Sequence, residues 1–251
     1  MGTSTSSKGP GAGSPLVPPW ADTDNSGGGP PPEPHRFREF RRSLGKFVSG
    51  GALSDLQTSL GSYAKTATGG SAVGPRRFGS MARAGGGLFD AISNGKRVDA
   101  ALNLKLAELN GLPTDVAIDK IVQMLVPDDG DADRIRVALN EALADCLDGY
   151  EDFDFNNFSD EMVVQVMLAY VTQCVFGQIV LDSRDAFAKA SSAARSEQAE
   201  RELHALVAAC VDVHMRRLLA GSLGTLDQRQ IEEAQLHAIR DVWIEWEGYI
   251  S

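Results

Sequence analysis

The chain has little of what the commonest catalytic and covalent frameworks need. Its three cysteines, Cys146, Cys174 and Cys210, are odd in number, far apart and set in apolar helical patterns. They imply no disulfide framework and read as small buried hydrophobes of a reducing compartment. The four histidines, His35, His204, His214 and His237, include no i, i+4 pair, and no HExxH, CxxC or GxSxG pattern occurs. Zinc-type and elbow-type nucleophilic chemistry both need such spacings, so no enzyme activity, metal or cofactor is expected. The opening residues lack the apolar stretch of a secretory signal, which makes the expected location cytoplasmic. Period-two alternation is missing as well, Phe153-Asp154-Phe155 being too short to argue a strand.

Uncharged runs are scarce, with one exception at Met162 to Leu181. Twenty residues are enough on paper to span a bilayer, but Gln165, Thr172, Gln173 and Gln178 interrupt the run. Asp160, Glu161 and Asp182 flank it, and no basic cluster would orient insertion. A buried central helix is the expectation, and no membrane contact. Proline is nearly absent beyond residue 34, where only Pro75, Pro113 and Pro127 remain. The eight prolines before that point, with the run Gly27-Gly28-Gly29, describe residues 1–34 as a Gly/Pro/Ser-rich tail that is disordered until bound.

What is present is helical periodicity. Phe37, Phe40, Leu44, Phe47 and Val48 recur among Arg36, Arg38, Arg41 and Arg42, giving an amphipathic basic helix over 36–48. Leu53 to Thr66 follows as a second helix, and Pro75 opens a glycine-rich third that runs to about Ile92. Its glycines do not fit a phosphate loop, because no Gly-Lys-Ser/Thr follows at the required spacing, so close helix packing explains them better. Thr114, Asp115 and Pro127 bracket a helix whose apolar face is Val116, Ile118, Ile121, Val122 and Leu125. Asp128 to Asp133 fails the calcium-loop register and reads as an acidic helix start. Two further helices cover roughly 194–219 and 227–247, the last carrying Trp243 and Trp246 as core anchors. The fold expected is mostly α, an irregular bundle of seven or eight helices over 35–251, with a basic, Gly-rich part at 35–110 and an acidic bundle at 111–251.

Charge divides the same way: eleven Lys and Arg against three acids from Arg36 to Arg97, but twelve against twenty-seven from Leu102 onward. An internal match of the two faces explains this. The alternative is a nucleic-acid-binding module that sets Arg36, Arg38, Arg41, Arg42, Arg76, Arg77 and Arg83 on phosphates.

The tail MGTSTSSKGPGAGSPLVPPW carries the clearest chemical handle. Removal of the initiator Met would leave a glycine α-amine, whose pKa of about 8 keeps an appreciable uncharged fraction at neutral pH. Pro15-Leu16-Val17-Pro18-Pro19-Trp20 is a stiff apolar segment within a flexible coil and reads as a docking peptide.

Together with GPRRFGSMARAGGGLF, LNGLPTDVAID, MLAYVTQCVFGQIVLDS and VWIEWE, that tail resembles the QatB component of the bacterial Qat anti-phage defence system. The resemblance implies a protein without enzymatic signature of its own, working beside an ATPase (QatA), a QueC-like enzyme (QatC) and a TatD-like nuclease (QatD). QueC-type enzymes use ATP to activate a carboxylated 7-deazaguanine for attack by ammonia. The resemblance therefore implies that the Gly2 amine replaces ammonia, that Thr3 and Ser4 offer no bulk against entry, and that Pro15 to Trp20 dock on the QueC-like partner.

Overall fold

The computed structural model describes residues 13–22, 31–93, 108–220 and 223–250. Among them are eight α-helices: α1 (Arg38–Val48), α2 (Leu53–Ser62), α3 (Gly79–Ile92), α4 (Thr114–Leu125), α5 (Ala132–Cys146), α6 (Asp160–Ser183), α7 (Ala193–Leu219) and α8 (Gln228–Glu247). The protein is mostly α; the one isolated bridge among the described residues, between Pro113 and Asp152, builds no strand. The chain forms two compact units. Unit 1 comprises Met1–Arg77, Val175–Cys210 and Ile239–Ser251; unit 2 comprises Phe78–Cys174 and Val211–Ala238.

In unit 1, α1 and α2 pack through Phe40, Leu44, Phe47, Val48, Leu56 and Leu60, all buried. The last carbonyls of α1 lack intrahelical partners; Gly50 and Gly51 N–H donate to Phe47 O at 3.0 and 3.1 Å, and Arg195 adds bonds to Phe47 O at 2.7 Å and Val48 O at 3.2 Å. The end of α2 widens into a π-turn over Tyr63–Ala67, where Thr68 N–H donates to Tyr63 O at 3.1 Å. The turn carries Tyr63 into an aromatic chain, 4.8 Å from Phe40 and 5.8 Å from Trp243 between ring centres. Trp243 and Trp246 are fully buried, as expected of core anchors. Each indole satisfies its N–H inside: Trp243 donates to Thr68 Oγ1 at 2.8 Å and Trp246 to Cys210 Sγ at 3.4 Å.

Unit 2 is organised around the small residues of α3. A Cβ at Gly85 would collide with Gln235 and Tyr170, and one at Gly86 with Gln228 and Glu232, so these glycines permit close approach rather than cradle a phosphate. Through that approach Tyr170 OH donates to Met81 O at 2.7 Å and Gln235 Nε2 to Ala82 O at 3.0 Å. The acidic turn before α5 is used locally: Asp129 accepts from Ser80 Oγ and, at 2.8 Å, from Asp131 N–H. The apolar run forms α6, whose buried residues in this unit include Val166, Met167, Tyr170 and Val171. Burial pushes the Cys174 thiol up to about 12, which marks it as a packing residue.

Candidate functional site

The features that bear on function gather in unit 1. Residues 13–22 turn back on the helical body, closed by Ala21 N–H donating to Pro18 O at 3.0 Å. Leu16 and Val17 are 5% and 1% exposed, and Ala21 is fully buried. Leu16 Cδ1 sits beside Gly69, where φ is +86° and an added Cβ would come within 3.1 Å of it. Asp22 accepts two hydrogen bonds from Arg76 Nη2, at 2.8 and 2.7 Å, and Arg36 Nη2 donates to Pro15 O at 3.4 Å.

Of the segment Pro15 to Trp20, expected to dock on a partner, Leu16 and Val17 are buried against the chain itself. Leu16 and Val17 are spent on the chain's own surface, because an apolar segment tethered a few residues from a matching apolar face docks there first. Pro15, Pro19 and Trp20 stay exposed, Trp20 at 43%, with Pro18 half-buried. Gly2, Thr3 and Ser4 lie outside the described residues.

The same unit holds a buried carboxylate. Asp182 is fully buried; its carboxylate accepts from Tyr63 OH at 2.8 Å, Arg77 Nη1 at 2.8 Å, Arg77 Nη2 at 3.5 Å and Gln178 Nε2 at 3.0 Å. Arg41 Nε donates to the backbone carbonyl of the same residue at 2.8 Å. Burial acts to lower the Arg77 pKa, but Asp182 outweighs it and holds the guanidinium above its ordinary range.

The arginines expected to meet phosphates therefore have different fates. Arg77 is 7% exposed and committed to Asp182, and Arg76 clamps Asp22. Arg36 is 3% exposed. Arg38, Arg42 and Arg83 are exposed, Arg42 pairing with Glu39 at 2.9 Å, and Arg83 belongs to unit 2. Counting charge along the sequence could not separate these cases, since the acids that take up Arg76 and Arg77 lie 54 and 105 residues away.

Beside this network, His35, Arg36, Phe37, Arg38, Arg41 and Arg184 line a cleft of about 230 Å³. The guanidiniums of Arg36 and Arg41 both lie over the Phe37 ring, at 4.9 and 4.7 Å from its centre. Among the described residues, His35 (φ 62°) and Arg184 (φ 52°) are the non-glycine positions with left-handed backbone, and both sit at this cleft. Sequence reasoning missed Tyr63, Asp182 and Arg184. One signal was present: Asp182 follows Gln178 by one turn at the close of an uncharged run, where an acid is buried with a polar neighbour.

Across known proteins, a family model described as the Qat anti-phage system associated protein QatB matches residues 69–245. No curated protein and no solved structure matches.

Proposed function

Because the chain belongs to the QatB family of Qat anti-phage system associated proteins, we propose that it is a non-enzymatic, cytoplasmic adaptor and modification substrate of that defence system. Its N-terminal arm is offered to a QueC-like partner, QatC, while the helical body meets the ATPase QatA and the TatD-like nuclease QatD. At the partner's site the Gly2 amine nitrogen attacks an ATP-activated deazapurine carboxylate. A C–N bond forms, the bond to the nucleotide leaving group breaks, and the amine proton passes to solvent.

The observation that supports this reading is the anchored root of the arm. Leu16, Val17 and the Asp22–Arg76 clamp fix the chain at its entry to unit 1. The twelve residues ahead of Gly13 reach at most about 40 Å from there when extended. An anchor of this kind sets where the terminus can go, and Pro15, Pro19 and Trp20 are exposed beside it for the partner. Nucleic-acid binding is the weaker reading, because Arg76 and Arg77 already have carboxylate partners.

Intact mass of the full chain co-expressed with the QueC-like partner tests the proposal. The expected result is a Met-cleaved chain carrying one deazapurine amide, absent from Gly2→Pro. An unchanged Met-cleaved mass, or the same adduct on Gly2→Pro, defeats it.

A further inference from the structure

The cleft beside Asp182 is lined by four arginines. Arg36, Arg38, Arg41 and Arg184 all line it, and among the described residues no carboxylate does. Arg36 is the sharpest case: it is 3% exposed, and its Nε and Nη1 find no hydrogen-bond partner among the described residues. Its one bond, from Nη2 to Pro15 O, is long at 3.4 Å. Asp182, whose charge acts on Arg36, already accepts from Tyr63, Arg77 and Gln178.

A buried guanidinium with unpaired N–H groups is costly unless something satisfies it. The electrostatics agree. Burial, and next the charge of Arg77, lowers the Arg36 pKa; burial, and next Arg184, lowers that of Arg41. Asp182 offsets part of that burial cost at both residues, and Asp185 part of it at Arg41; an anion in the cleft would offset more of it.

We infer that this cleft, floored by Arg36 and rimmed by His35, Arg38, Arg41 and Arg184, binds a phosphate group carried by a small molecule, either inorganic phosphate or a nucleoside 5′-monophosphate. Guanidinium groups match phosphate oxygens in charge and donor geometry. The volume of about 230 Å³ lies below the roughly 300–1,000 Å³ typical of sites that enclose a whole drug-sized ligand, so the phosphate enters and any attached nucleoside stays outside. The inference does not depend on modification of Gly2.

Isothermal titration of the full chain with inorganic phosphate, with adenosine 5′-monophosphate and with a twelve-nucleotide DNA, each at matched chloride ionic strength, tests it. Phosphate or the monophosphate is expected to bind with Kd below about 1 mM, the tighter of the two identifying the source. Arg38→Gln, at an exposed position, is expected to weaken that binding at least tenfold while melting in chloride like the parent chain, and Arg184→Gly, which suits left-handed backbone, is expected to weaken it at least as much. Weaker binding than this to both small ligands overturns the inference, as does binding by the oligonucleotide alone or binding that neither variant changes.

Discussion

Around Asp182, unit 1 buries a full negative charge and satisfies it with side chains drawn from the π-turn, the turn before α3 and α6 itself. Around Gly85, unit 2 buries only neutral groups, Tyr170 and Gln235, and satisfies them on backbone carbonyls that the missing glycine side chain leaves approachable. Both interiors are hydrogen-bonded, but they concentrate risk differently. In unit 1 a single carboxylate answers for several donors, so its loss strands a charge. Around Gly85 the same role is spread over shape, so there damage comes from adding atoms rather than removing them, although unit 2 also buries Asp131 against Arg134 elsewhere.

The largest effect should follow from Asp182→Ala. Arg77 would keep its charge at 7% exposure with no counterion, and breaking a buried pair from one side costs about 3–5 kcal/mol. Urea unfolding of the variant should show that loss in midpoint. The double change Asp182→Leu with Arg77→Met should recover most of it, since an apolar pair of similar volume avoids the desolvation. A loss under about 1 kcal/mol for Asp182→Ala would mean that the pair is open to water and that the contrast between the units fails.

Next in size is Gly85→Ala, whose new methyl would meet Gln235 and Tyr170 and should cost about 1–3 kcal/mol by overpacking. Gln235→Ala on the same chain should remove part of that penalty, a coupling that a double-mutant cycle measures directly. Gly177 is the matched control in unit 1: it lies inside α6, and nothing stands within 4 Å of an added Cβ. Gly177→Ala should therefore stabilise by about 0.5–1 kcal/mol through helix propensity alone. Equal effects at the two sites would show that glycine in α3 is a matter of backbone preference, not of packing.

The contrast also sorts what could be read in advance. The helices were legible wherever periodicity and punctuation agreed: Thr114 and Pro127 bracket α4, and the uncharged run with its Gln interruptions became α6. The close packing of α3 was legible too, because Gly85-Gly86-Gly87 failed a phosphate-loop register and left few other uses. The charge network was not. Arg77 and Asp182 are 105 residues apart, and each was grouped with neighbours in sequence, one in a basic patch and the other at the flank of an apolar run. Linear charge counting sees sign and density; it does not see which guanidinium the fold turns inward. Docking of Leu16 and Val17 was hidden for a related reason, since composition weighs the flanking Gly and Ser but not the apolar surface waiting beside Gly69.

That docked segment supplies the smallest stability effect and the one that best separates a local anchor from the core. Leu16→Ala removes a side chain as buried as many in the helices, and in a core position it would cost about 2–5 kcal/mol. Residues 13–22, however, contribute no helix and hold few backbone bonds to the body, so they can undock without unfolding unit 1. The global midpoint in urea should then fall by less than about 1 kcal/mol. Amide exchange over residues 13–22 should rise sharply, with little change in α1 or α2. Asp22→Asn, which weakens the clamp to Arg76 but leaves Leu16 in place, should raise exchange in the same segment to a smaller degree. If Leu16→Ala instead lowered the global midpoint by the full core amount, the segment would be part of the folding unit. The arm would then begin ahead of Gly13 on a rigid mount rather than a releasable one.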